Sequence, residues 1–244
     1  MKRTFTILTT SAALLAIACG APVSGAVIAT LSSEAPSGTT NDHTGAIQAV
    51  DGDLLKTVAS VAAEGGVGDS SRHVTASMFN GMISTGTANG SNGGDVDSPT
   101  AAGYYGAGDF IEFDLDTSVN TLGYNISLIQ VIQRGDSARP GINTTIFVRE
   151  VGQTTFTELI APIPAGTSGN VNMYAITNDS GPLVASGVDG IRFEFGRSDA
   201  PDGNTGGNAW TWYRELDVVG VPVPEPGSLA LLAMGGLCLL RRRR

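Results

Sequence analysis

The chain has 244 residues, of which 41% are hydrophobic, and its formal net charge is −9 at pH 7. Residues 27–220, called the body below, hold 22 of the 23 acidic side chains and 8 of the 14 basic ones, so the net charge of the body is near −14. This balance argues against nucleic acids and anionic surfaces as partners, because contacts to phosphate need a basic footprint. About 190 residues are enough for one domain with a substantial core.

The N-terminus has the features of a secretory signal peptide. Lys2 and Arg3 supply the positive region, and residues 7–18 supply an apolar region. A Ser-Gly-Ala sequence ending at Ala26 has the small residues of a cleavage site. We therefore predict a signal peptide over residues 1–26, export by the secretion machinery, and cleavage after Ala26.

The chain has two cysteines, and each lies near one end. Cys19 gives an alternative interpretation of the N-terminus, a lipoprotein signal in which this residue becomes the new first residue. Ala16, three positions upstream, stands where a leucine is usual. If both ends are removed, Cys238 is lost as well, so the fold cannot depend on disulfides.

Most of the body reads as short strands. In Asp109–Leu115 apolar residues alternate with acidic ones, which is typical of a strand with one buried face. Eight or nine such segments at intervals of roughly ten residues predict an all-β fold, an antiparallel sandwich. The other predicted strands are residues 27–31, 73–79, 120–131, 143–150, 154–160, 171–177, 191–195 and 212–219.

A helical pattern occurs in one region, residues 47–63, where four apolar residues from Leu54 to Val61 have helical spacing. Gly52 interrupts the pattern, so we predict a turn there followed by a short helix. Residues 81–108 are rich in Gly, Ser, Asn and Thr and predict a long irregular loop.

The C-terminus, residues 221–244, combines three features. Pro224, Glu225 and Pro226 form an extended strip, because prolines and the residues before them avoid helical conformations. An apolar run over residues 229–240 follows. The chain then ends on four basic residues, Arg241, Arg242, Arg243 and Arg244.

This order resembles the PEP-CTERM sorting signal of exported bacterial proteins. The resemblance implies a membrane protease of the exosortase type as a partner, which would read the proline strip. Twelve residues of helix span about 18 Å, less than the roughly 30 Å hydrocarbon core. We therefore expect a short hydrophobic helix that anchors the chain in the cell envelope membrane transiently, with the arginines on the cytoplasmic side. The alternative is a buried core helix with a basic end.

The body resembles a second family, the discoidin-type, galactose-binding-like jelly rolls. This resemblance, across about residues 45–220, implies a jelly-roll sandwich and a carbohydrate-binding role. The segments that carry it are residues 51–53, 109–115, 122–126, 188–193 and 213–218.

The acidic turn of Asp51 and Asp53 is a candidate calcium site, because calcium takes several oxygen ligands and closely spaced aspartates provide them. In domains of the resembling type a glutamate of the last strand also holds this cation, and Glu215 matches it. The ion, Ca²⁺, would be structural and tie the first loop to the closing strand. The alternative is a solvated turn and an ordinary surface glutamate.

Three further residues are candidate ligand contacts. Trp210 lies before the last predicted strand, where an aromatic ring can stack on a sugar. Trp212, in contrast, is expected in the core. Arg134 and Arg139 flank a loop between long strands, where sandwich domains often place binding residues. Their alternative role is to balance the nearby Asp136.

The sequence argues against an enzyme. It has two histidines and lacks the nucleophile elbow, the zinc-protease motif and the phosphate loop. We predict a non-enzymatic protein of the cell surface or extracellular matrix, with residues 1–26 as signal peptide, 27–220 as β-sandwich and 221–244 as sorting and anchor segment. The alternatives are a carbohydrate-binding module that recognises extracellular polysaccharide, and a hydrolase with an unrecognised carboxylate site.

Overall fold

The fold is built almost entirely of antiparallel strands. The computed structural model describes residues 25–34, 47–66, 75–79, 103–106, 108–134, 142–160, 163, 171–198, 210–225 and 227. These residues form ten strands: β1 (Val27–Glu34), β2 (Ala59–Gly65), β3 (Gly103–Gly106), β4 (Asp109–Leu115), β5 (Tyr124–Arg134), β6 (Ile142–Glu150), β7 (Thr157–Ile160), β8 (Val171–Asn178), β9 (Ala185–Ser198) and β10 (Trp210–Pro222).

The strands form two layers of five. One layer has the order β1-β8-β5-β10-β3, and the other has the order β2-β4-β9-β6-β7. The layers join at one end, where Tyr124 pairs with Val188 and Ile126 pairs with Ala185. The all-β antiparallel jelly-roll sandwich predicted from the sequence is confirmed, with ten strands in the described residues instead of eight or nine.

One hydrophobic cluster fills the space between the layers. In β4 the buried residues Ile111, Phe113 and Leu115 alternate with partly exposed acidic ones, as the sequence pattern indicates. Phe195 of β9 and Tyr213 of β10 lie on opposite layers, and their ring centroids are 4.3 Å apart. This contact shows that the inner faces pack directly on each other.

Part of the outer face of the first layer is buried as well. Ile132 of β5 forms a second, smaller cluster with Ile47 and Val171. Ile47 belongs to the segment before the helix, residues 47–53, and this segment therefore covers part of the outer face of the layer.

The predicted turn at Gly52 and the short helix after it are confirmed, but three details of the local predictions are wrong. Residues 103–106, predicted as part of a long loop, form β3. The helix α1 spans only Leu54–Thr57, and Val61 belongs to β2, where it pairs with Phe113. Pairing with β4 thus overrides the helical spacing of the apolar residues. Residues 75–78, predicted as part of a strand, form a 3-10 helix whose Met78 is fully buried.

Charged residues cover the outer face of the second layer. Arg149 contacts Asp114 at 2.8 Å and Asp189 at 2.7 Å. Arg192 contacts Glu112 at 2.5 Å. Arg149 and Arg192 are therefore both paired with the protein's own carboxylates.

Candidate metal centre and sorting segment

Asp53 ends a tight turn and begins α1. Gly52 has φ 84°, a left-handed conformation that favours glycine, and it directs the chain into the helix. The carboxylate of Asp53 then caps the helix: Oδ1 accepts from the backbone N–H of Leu55 at 2.9 Å, and Oδ2 accepts from that of Lys56 at 3.0 Å. The turn and the cap fix the position of this carboxylate.

The last strand supplies two more carboxylates on the same side. Leu216 and Val218 of β10 face the core, so Glu215 and Asp217 face the outer side of the first layer. Residues 47–53 cover this face, and both acidic side chains are fully buried. One carboxylate oxygen each from Asp53, Glu215 and Asp217 lies within 4.8 Å of the other two.

Burial and mutual repulsion make this cluster costly when it is fully ionised. Burial is the largest cause that raises the pKa of Asp217, to about 7, and the charge of Asp53 raises it further. Burial also raises the pKa of Asp53, although three backbone N–H groups and the nearby Lys56 favour its charged form. A divalent cation would remove this repulsion.

The donor set fits a hard cation. Asp217 Oδ2 accepts a 3.3 Å hydrogen bond from the backbone N–H of Val50, whereas its Oδ1 is buried without a hydrogen-bond partner. A buried carboxylate oxygen without a partner is unfavourable. Three carboxylates so close together match the all-oxygen preference of calcium, and the residues available to hold it are Asp53, Glu215 and Asp217.

Two of the three predicted metal residues lie together in the structure, and the third does not. It brings Asp53 and Glu215 together, whereas the side chain of Asp51 is exposed and lies outside the group. Asp217 was missed by sequence reasoning. The signal that could have found it is its position two residues after Glu215, which puts both side chains on one face of a strand.

The predicted ligand residues lie at one end of the sandwich, as far as they are described. Arg134 is the last residue of β5 and pairs with Trp212, two residues after Trp210, the first residue of β10. We call this the far end. Arg139 lies outside the described residues, and so do the side chains of Arg134, Trp210 and Trp212.

The proline strip, residues 224–226, follows the last strand almost directly in the sequence. The backbone N–H of Val223 donates to the carbonyl of Gly123 at 2.9 Å, and Pro224 and Glu225 follow with exposed side chains. We call this the tail end. Pro226, the four arginines and the predicted C-terminal helix lie outside the described residues. Within the described part of the chain, no helix has the length and apolar character to cross a membrane.

Residues 222–244 match a family model described as the PEP-CTERM protein-sorting motif. The chain carries a PEP-CTERM sorting motif. This motif implies export and a membrane-anchored stage before processing, so the resemblance seen in the C-terminal residues is confirmed.

No curated protein matches the chain. Among solved structures, an F5/8 type C domain from Bacteroides fragilis is 16% identical, with a TM-score of 0.41, and the match covers 71% of this chain and 96% of that one. A CBM32 module from Clostridium perfringens is 14% identical, with a TM-score of 0.39, covering 69% and 99%. The CBM32 module of AlyQ, solved with 4,5-unsaturated mannuronic acid, is 13% identical, with a TM-score of 0.39, covering 70% and 97%.

Proposed function

We propose that the chain is an exported, non-enzymatic protein that is sorted through its C-terminus and delivered to the cell surface or the extracellular matrix. The observation that carries this proposal is the direct continuation of β10 into the motif, since the strand ends at Pro222, where the motif begins. Pro224 and Glu225 are exposed immediately afterwards. A protease of the exosortase type, acting at the membrane, therefore meets an accessible strip attached directly to a folded body.

The experiment replaces Pro224, Glu225 and Pro226 with alanine in the native host. We expect this variant to stay uncleaved and membrane-bound, whereas the parent is released. The control changes Gln153 and Thr154, two exposed residues in the turn after β6, to alanine and should be released normally. Release of the triple variant at the parent's rate would refute the proposed sorting.

The buried carboxylates support a non-enzymatic role. Glycoside hydrolysis requires two carboxyl groups that reach the substrate bond from a cleft. The three carboxylates of the candidate metal centre, Asp53, Glu215 and Asp217, are at most 3% exposed and cannot reach a substrate bond in this way. They suit a structural role better than contact with a substrate.

For the same reason, the cluster is proposed to bind a structural calcium ion. The cation would join the first turn, through Asp53, to the last strand, through Glu215 and Asp217. The unpartnered buried Oδ1 atom of Asp217 and the raised pKa of this residue support the assignment. The ion would hold residues 47–53 against the outer face of the first layer.

A second candidate function is the binding of extracellular polysaccharide at the far end. The pairing of Arg134 with Trp212 supports it, because this register places Arg134 at the same end of the sheet as Trp210, the first residue of β10. The far end is opposite the tail end. A site there would face away from the membrane while the chain is anchored and would stay accessible to polysaccharide.

A further inference from the structure

Exposed apolar side chains are concentrated at the tail end of the sandwich. Seven large hydrophobic residues of the described chain are exposed, and four of them belong to this end. Their exposed fractions are 79% for Val119, 37% for Leu122, 38% for Val151 and 60% for Val221. Single exposed apolar residues are ordinary, but a group of them at one end indicates an interaction surface.

Gly123 is the point at which the three chain segments of this end meet. Its carbonyl accepts from Val223, the residue that leads into the tail, and its backbone N–H donates to Asn120. A methyl group of Val151 lies so close that a Cβ at Gly123 would be 2.8 Å from it. The turn after β4, the turn after β6 and the end of β10 therefore form one surface, which we call the apolar tip.

The tail holds this surface close to the membrane. The apolar run of the sequence begins at Leu229, six residues after Val223. Six extended residues span at most about 20 Å, and the headgroup layer alone is roughly 5–7 Å thick. While the tail is anchored, the body cannot move its tail end far from the bilayer.

We propose that the apolar tip contacts the lipid bilayer during the anchored stage, with Val119, Leu122 and Val151 in the headgroup region. This inference rests on the tail acting as a membrane tether, as the sorting motif implies. A short tether gives the tip a high effective concentration at the surface, so contacts that are too weak to recruit a free protein are sufficient. The sandwich then stands upright, with its far end pointing outward.

The charges around the tip determine which lipids it fits. Asp116, Glu150 and Glu225 are exposed on the segments of this end, and among the described residues Lys56 is an exposed cation close to them. Attraction to anionic lipid is therefore excluded as the cause of the contact. A zwitterionic surface fits the tip best. We expect anionic lipid to weaken the contact at low salt and added salt to restore it.

The experiment places an environment-sensitive fluorophore on single cysteines. The chain without its signal peptide, carrying Cys238→Ser, is reconstituted in phosphatidylcholine vesicles that contain nitroxide-labelled lipid. The test positions are V119C, L122C and V151C. The controls are L31C on β1 and V61C on β2, whose exposure matches that of Leu122 and Val151 but which lie away from the tip.

We expect at least twofold stronger quenching and a blue-shifted emission at the three test positions than at the controls. Replacing one third of the lipid with phosphatidylglycerol at low salt should reduce the quenching, and added salt should restore it. Normal melting of each labelled variant in detergent excludes misfolding as the cause of a negative result.

Vesicle flotation separates two kinds of failure. Protein that does not float with the vesicles would refute the tether and, with it, the sorting part of the proposed function. Protein that floats without quenching at the tip would refute the upright contact alone, and so would equal quenching at the controls. A contact that forms only in native membranes containing the protease would assign the tip to a protein partner and overturn the lipid proposal.

Discussion

The backbone N–H of Val218 donates a 2.9 Å hydrogen bond to Oδ1 of Asp53, across 165 positions of sequence. The same carboxylate caps α1, so a single side chain holds both the first helix and the last strand. An adjacent bridge between Asp53 and Val219 continues the contact along the backbone. The N-terminal and C-terminal parts of the body are therefore coupled at this residue.

Replacing Asp53 with alanine should lower the free energy of unfolding by about 2–4 kcal/mol. The helix loses its cap, worth about 1 kcal/mol, and the buried N–H of Val218 loses its acceptor, which costs about 1–3 kcal/mol. Urea unfolding at pH 5 without calcium isolates these losses, because Asp217 is then mostly protonated and does not repel its neighbour. Asp116→Ala removes an exposed carboxylate that accepts from the backbone N–H of Ser118, and it should lower the stability by less than about 1 kcal/mol. An Asp53→Ala variant that is no less stable than this control would contradict the coupling.

Calcium should raise the melting temperature of the parent by several degrees. A ligand at about 100 times its Kd adds about 2.7 kcal/mol to the stability of the state that binds it. Asp217→Asn keeps the shape of the side chain but removes its charge, so this variant should lose most of the response. Asp116→Asn is the control and should respond like the parent. Identical melting of the parent in calcium and in chelator would rule out the site.

Without a cation, the stability of the body should fall as the pH rises from about 4 to 7. Asp217 has a pKa of about 7 in the folded chain and an ordinary value of 3.8, so the folded state binds its proton more tightly. The stabilisation is fully present below pH 4 and is lost as the pH rises through 7. Its upper limit is on the order of 4 kcal/mol, since each tenfold change in proton affinity is worth about 1.4 kcal/mol.

Denaturant titrations in chelator at several pH values measure this slope. Asp217→Asn should flatten it, and calcium at pH 8 should restore the stability lost by the parent. If the stability of the parent instead rises steadily between pH 4 and 7, other titrating groups determine its pH dependence. The burial of Asp217 then does not raise its pKa in the folded chain as proposed.

The sequence was sufficient to predict the structure where a strand buries one face and exposes the other. In β4, alternation alone identified the buried residues, because the pleat assigns every second side chain to the core. It was insufficient where pairing with a distant segment overrides the local pattern. Val61, for example, belongs to a strand despite its helical spacing. The spacing of Asp217 from Glu215 places both on one strand face, but the burial of this face depends on residues 47–53, and no local pattern indicates that this segment covers it.

Thr144 and Tyr213 should behave as a coupled pair in the core. Their hydroxyl groups lie 3.0 Å apart, both residues are buried, and they belong to opposite layers. Tyr213→Phe should cost about 1–2 kcal/mol, because the hydroxyl of Thr144 loses this partner. Thr144→Val in the Tyr213→Phe background should then cost less than in the parent, by about 1 kcal/mol in a thermal double-mutant cycle. Strict additivity would show that the hydroxyl contact contributes nothing.

The far end, if it binds polysaccharide, should prefer neutral chains. The body has a net charge near −14, which repels acidic polymers at low salt, and ring stacking on an aromatic side chain needs no charge. Trp210→Ala should weaken binding on a glycan array about tenfold, which corresponds to about 1.4 kcal/mol. Phe156→Ala changes an aromatic residue in the turn after β6, at the tail end, and should leave binding unchanged. Equal losses in the two variants would indicate general destabilisation, and a parent that binds no neutral glycan would leave the protein without this function.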